Sequence, residues 1–157
     1  QSQHLAKFVG FPYDGTAPGE KIETTTFHMC NQPWALWICP SGMTESESEY
    51  VSVFLAYKGK GIVRAWFSFV LLDKEGRSTV IFQDNELEGS IFEGCDDHWG
   101  KQKCILREEL EELAPEGEFA VQVNLRLFEF EEPLGRNASV TEEEETKSIV
   151  SEATFSH

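Results

Sequence analysis

Positive charge is scarce in this chain of 157 residues: 13 lysines and arginines stand against 28 aspartates and glutamates, a net charge of -15. A nucleic-acid backbone needs a basic stripe to displace its counterions, and no stretch supplies one. Nucleic acid is therefore excluded as a partner, while basic or neutral protein surfaces remain open. Long apolar runs are missing too. None approaches the roughly 20 residues of a bilayer-spanning helix, and the amino-terminal residues lack the charged-then-apolar pattern of a signal peptide. No membrane partner is expected, and the expected location is the cytoplasm or nucleus. Cysteine is thin: Cys30, Cys39, Cys95 and Cys104 are too widely spaced for a metal knuckle and too few for a disulfide-built scaffold. Buried free thiols are the simplest reading, with one or two disulfides as the alternative. His28 and His98 have no second histidine at ligand spacing, and no glycine pattern frames a serine as a nucleophile. The chain reads as a non-enzyme, with no cofactor called for.

Helical periodicity is nearly absent. Only Arg107 to Leu113 carries it, with Leu106, Leu110 and Leu113 on one side and Pro115 and Gly117 as the stop. In place of helices the chain holds apolar runs at period two, separated by turn residues. The clearest are Trp34 to Cys39, Tyr50 to Tyr57, Val63 to Leu72 and Phe119 to Leu127. In the second, Val51, Val53, Leu55 and Tyr57 share one face and Tyr50, Ser52, Phe54 and Ala56 the other. In the third, Ala65, Phe67, Phe69 and Leu71 lie together, and in the fourth Phe119, Val121, Val123, Leu125 and Leu127 point inward. Leu5 to Val9 reads as an edge strand, Ile22 to Met29 as a β-prone run beside the strand from Trp34, and Thr79 to Phe82 as a shorter strand. Asn31-Gln-Pro33 and Asp73-Lys-Glu-Gly76 read as turns, and Lys58-Gly-Lys-Gly61 as a hairpin loop. Residues 84–97 form an acidic, glycine-bearing connection with no clear period, whose carboxylates offer a calcium site or, more simply, a solvated loop.

These elements predict an all-β antiparallel sandwich with one short helix, a domain over residues 1–130 and an acidic disordered tail or linker over 131–157. The tail contains Glu142 to Glu145 in a row and the sequon Asn137-Ala-Ser139. It is too polar to offset the entropy of ordering. A sandwich without catalytic groups works by binding, so the candidate site is a surface.

Three blocks occur in order: Gly19-Glu-Lys-Ile-Glu-Thr-Thr-Thr-Phe27, Trp34-x-Leu-x-Ile-x-Pro-x-Gly42 and Tyr50-Val-Ser-Val-Phe-Leu55. Val63-Arg-Ala-Trp-Phe-Ser-Phe69, Leu72-Asp-Lys-Glu-Gly76, Trp99-Gly100 and Arg107-x-x-Leu110 follow. Together they resemble the MATH family, the TRAF-like β-sandwich. The resemblance implies about eight antiparallel strands. It also implies a module that binds short, extended peptides of partner proteins along one sheet, recruiting partners or substrates for a larger protein, in some members within the ubiquitin pathway. Self-association as a TRAF-like scaffold, with any homo-oligomer formed through regions outside this chain, is the alternative. Carried onto this sequence, the groove residues are Phe54, Phe67, Trp99, Gly100 and Lys101. Where the family has Asp-Trp-Gly-Phe, this chain has His98 before Trp99 and Lys101 after Gly100. A lysine there implies a ligand with an acidic or phosphorylated group. Trp34 reads as core, and Trp37 and Trp66 as packing on the solvent side of their strands.

Overall fold

The computed structural model describes residues 2–129 and, as strand backbone, 148–154. In chain order the strands are β1 (Ser2–Val9), β2 (Ile22–Glu23), β3 (Phe27–Met29), β4 (Gln32–Cys39), β5 (Tyr50–Tyr57), β6 (Val63–Leu72), β7 (Ser78–Gln83), β8 (Ser90–Phe92), β9 (His98–Leu106), β10 (Phe119–Leu127) and β11 (Ser148–Thr154). One helix, α1 (Arg107–Leu113), lies where the leucine spacing predicts it. One sheet runs β11-β1-β10-β6-β7, with β8 also on β6; the other runs β2-β4-β5-β9, with β3 also on β4.

This is the predicted β-sandwich. The described residues hold eleven strands rather than about eight. The threonine-rich run from Ile22 divides into β2 and β3, and β8 and β9 arise from residues without a clear apolar period. A further correction concerns Lys58 to Gly61, which is not a hairpin loop. It carries the chain from β5 in one sheet to β6 in the other, because both neighbours of β5 are already strands of its own sheet. Within the segment read as a tail, Ser148–Thr154 forms a strand parallel to β1. The rest of that reading, including the sequon at Asn137 and the run Glu142 to Glu145, lies outside the described residues.

The core follows the period-two faces. Ala65, Phe67, Phe69 and Leu71 of β6 and Val121, Val123 and Leu125 of β10 meet Trp34, Leu36 and Ile38 of β4 and Val51, Val53, Leu55 and Tyr57 of β5, each at most 3% exposed. Side chains of two inner faces interdigitate in this way to fill a sandwich. The β3–β4 hairpin is closed by two residues, since Met29 pairs with Gln32. Both loop residues, Cys30 and Asn31, have positive φ of 53° and 59°, as the turn that matches strand twist requires. Leu110 buries α1 against the core, and Tyr13 ties the helix end by donating its hydroxyl to the Ala114 carbonyl.

A histidine occupies one inner position of β1. His4 on β1 is fully buried and stacks on Phe27 with ring centroids 3.7 Å apart and nearly parallel. Burial pushes its pKa from 6.5 down to about 4, because the imidazolium would lose its hydration. An unfolded His4 binds its proton near 6.5, whereas the folded one does so only near 4. Stability is therefore complete above the higher value and falls as pH drops toward the lower, at up to about 1.4 kcal/mol per pH unit. Urea unfolding across that window should show this loss, and His4→Phe should flatten it. The four cysteines are free thiols, with Cys30 and Cys39 buried, Cys104 half-buried and Cys95 exposed. Burial pushes the Cys104 thiol up to about 12. A thiol-specific chromophore should label the native protein quickly at Cys95 alone, and Cys95→Ser should remove that fast phase.

Candidate functional site

Among the described residues, strand β9 is the open edge of the second sheet, paired on one side with β5. Its burial divides it in two. Trp99 and the stretch from Lys101 to Lys103 are exposed, while Cys104, Ile105 and Leu106 are partly covered. The covered end lies against β7 of the other sheet, where the Cys104 thiol approaches the Ile81 carbonyl at 3.5 Å. In register, Ala56 faces His98, Leu55 faces Trp99, Phe54 faces Gly100 and Val53 faces Lys101; the pairing then slips and resumes at Val51 and Ile105. Gln102, Lys103 and Cys104 thus bulge opposite Ser52, whose buried hydroxyl donates to the Gln102 carbonyl at 2.6 Å. Bulges and lysines are the usual protection of an exposed edge strand.

The turn before β9 sets its direction. Gly94, Cys95 and Asp96 all have positive φ, of 84°, 49° and 75°, a conformation that costs free energy at the two non-glycine residues. Hydrogen bonds hold the turn: Cys95 N–H donates to Gly59 O, Asp96 N–H to Tyr57 O, and Tyr57 N–H to Asp97 O. The Asp97 carboxylate accepts the backbone N–H groups of Glu93 and His98. These contacts aim His98 and Trp99 to opposite sides of the strand. Trp99 is 48% exposed, and its indole N–H reaches across to the Ile91 carbonyl of β8 at 2.7 Å. Ile91 is itself half exposed, so the two form an apolar patch beside the edge.

His98 turns to the outer face of the sheet. There Trp37, Phe54 and Ala56 make a second apolar cluster separate from the main core, with Met43 against it. The His98 ring lies 4.5 Å from that of Trp37 and 5.4 Å, edge-on, from that of Phe54. The Lys21 ammonium stands 3.4 Å from the centroid of the Trp37 ring. The Trp37 indole N–H donates to Glu23 at 2.7 Å. Lys58 joins Glu23 to Asp96, at 3.1 and 2.7 Å. Burial favours the neutral acid at Glu23, but the hydrogen bonds from Trp37 and Lys58 and the charges of Lys58 and Lys21 outweigh it and lower its pKa. Asp96 is lowered chiefly by its hydrogen bond from Lys58, and Lys58 is raised chiefly by Asp96. Such half-exposed pairs add little stability; their effect is to fix where the charges sit.

Four of the five residues predicted from the sequence lie on the β5–β9 pair, though on its two faces: Phe54 on the outer one, Trp99 and Lys101 on the other. Phe54 faces Gly100 across the β5–β9 pair, and Trp99 and Lys101 flank Gly100 on the exposed half of β9. Phe67 does not join them. It is 0% exposed in β6, in the other sheet, packed against the rings of Phe69, Phe82 and Phe92. Phe67 shares its face of β6 with Ala65, Phe69 and Leu71, against Arg64 and Ser68 on the other, so the alternation marks it as core and only the family position had put it in the groove. Trp37, Lys21, Glu23 and His98 were not predicted as site residues. The parity of Trp37 with Phe54 across the β4–β5 pair is the signal that places them on one face.

The sequence matches the family model of the MATH domain over residues 4–125. The chain belongs to the MATH family. No curated protein matches it. The MATH domain is a protein-interaction fold rather than a catalytic one, in keeping with a site made of a strand edge and aromatic side chains. Gly100 holds this MATH edge close to β5: a Cβ there would collide with the Val53 carbonyl and lie 2.7 Å from the Phe54 Cα. Gly100→Ala should therefore destabilise the domain by about 1–3 kcal/mol, read as a lower urea midpoint, while Lys101→Ala on the exposed side should leave the midpoint unchanged.

Proposed function

We propose that this MATH domain binds an extended peptide of a partner protein along the exposed half of β9. The observation that carries the reading is a strand edge, from His98 to Lys103, unpaired among the described residues and flanked by the half-exposed Trp99 and Ile91. A strand added to such an edge satisfies backbone donors and acceptors without reference to sequence, and neighbouring side chains select the residues it carries. Trp99 supplies a broad, rigid contact, of the kind that dominates binding energy when covered. Lys101, exposed beside Gly100, favours an acidic or phosphorylated group on the ligand. The domain performs recruitment for a larger protein, in the manner of adaptors that present substrates to a ubiquitin ligase.

Selection of displayed random peptides against residues 1–157 should enrich one extended motif. Trp99→Ala should weaken the enriched peptide by about tenfold or more without lowering the urea midpoint. Enrichment indifferent to Trp99 would overturn the placement on β9. If the edge instead pairs with a second copy of the chain, sedimentation should show a dimer at micromolar concentration and no motif should be enriched.

A further inference from the structure

Trp37 already carries a cation. The Lys21 ammonium lies 3.4 Å from its ring centroid, well inside the distance at which the negative face of an aromatic ring attracts positive charge. The edge of the same indole donates to Glu23 at 2.7 Å, which holds a carboxylate at the margin of the ring. Asp96 provides a second acid nearby, linked to Glu23 through Lys58. Phe54 and His98 complete the aromatic surround. A ring face with a carboxylate at its rim suits a cation, and it suits neither an anion nor a purely apolar group.

Lys21 is poorly secured by comparison. It is exposed, immediately precedes a strand of only two residues, and forms no ion pair among the described residues. Its place over Trp37 rests on the ring and on the charges of the nearby Glu23 and Asp96, without a direct ion pair. With Lys21 swung out, the ring face is uncovered next to β9, since Trp37 faces Phe54 and Phe54 faces Gly100 across successive strand pairs.

We propose that the Trp37 face is a cation-accepting site at which a lysine or arginine side chain of a bound partner protein replaces Lys21. Lys21 is then an internal stand-in for the ligand, and competes with it. The net charge of -15 draws basic partners toward the site at long range. The proposal rests on the peptide-binding reading for how the side chain is delivered, because a chain lying along β9 passes beside the ring. The chemistry of the site does not depend on that delivery and can be tested apart from it.

The probe is n-butylammonium chloride, the end of a lysine side chain without a backbone, titrated at constant ionic strength into the 15N-labelled protein. The indole N–H resonance of Trp37, assigned by its disappearance in Trp37→Phe, is the readout. In Lys21→Ala that resonance should shift saturably, with an apparent Kd about three- to fivefold lower than in the unsubstituted protein, the range expected of one exposed cation–π contact. Adding Glu23→Gln to Lys21→Ala should weaken the response about threefold or more. The uncharged isostere 1-butanol should produce no saturable shift. No saturable response in Lys21→Ala, an equal response to 1-butanol, or indifference to Glu23 would each overturn the proposal. Lys21 is on the surface, so its removal leaves the core intact. The probe cannot pair with β9, so a failed peptide selection leaves this result standing, and the reverse holds as well.

Discussion

The packing of Phe92 between the sheets is the contact on which the open edge at β9 depends. Its ring is fully buried and lies 5.1 Å from that of Trp34 and 5.9 Å from that of Phe67. It therefore touches an anchor of each sheet while its own strand, β8, is only three residues long. Ladder hydrogen bonds over so short a strand position it weakly, and the aromatic contacts supply what the ladder lacks. The chain then passes directly through the left-handed turn at Gly94 to Asp96 into β9. The aim of His98 and Trp99 is thus set by an apolar anchor six residues before His98, with the turn as the rigid link between them.

The strands with two distinct faces were legible in the sequence, and those without were not. β4, β5, β6 and β10 alternate because one face is core, and α1 shows its leucine spacing because one side is covered. β9 escaped such reading because its first half, His98-Trp-Gly-Lys-Gln-Lys103, lies at an edge where neither face is fully buried, so no apolar alternation was required of it. The aromatic cluster at Trp37 was hidden for a related reason. Its surroundings come from Lys21, Met43, Phe54 and His98, far apart in the chain, and alternation reports the face of a residue without reporting what loop lies over it. Phe67 shows the converse: the alternation of β6 marks its ring as core, and the family position misplaced it in the groove. Trp99, Gly100 and Lys101 were found through their motif; their position on an open edge followed only from the topology.

Charge in this domain is arranged so that a strongly acidic body carries four of its lysines around β9 and the Trp37 cluster. Lys21 lies on the aromatic ring, Lys58 ties two acids together, and Lys101 and Lys103 stand on β9. The lysines on the strand keep the edge from pairing indiscriminately with other strands. Lys58 lowers the pKa of both Glu23 and Asp96 and fixes the two carboxylates beside the Trp37 face.

If β9 receives a peptide strand as proposed, the bulge opposite Ser52 sets how long that partner stays. A strand added to β9 finds a straight ladder only from His98 to Lys101, since beyond it the backbone turns out of line. Few hydrogen bonds can form over that span, so a single attachment dissociates quickly and a change in contacts is felt mainly in its lifetime. Durable capture then depends on presenting several copies of the domain, or of the motif, close together. The effective concentration set by their linkers raises occupancy by orders of magnitude without any new contact. On the proposed function, the short edge makes each encounter reversible and leaves the strength of the assembly to be set by valency.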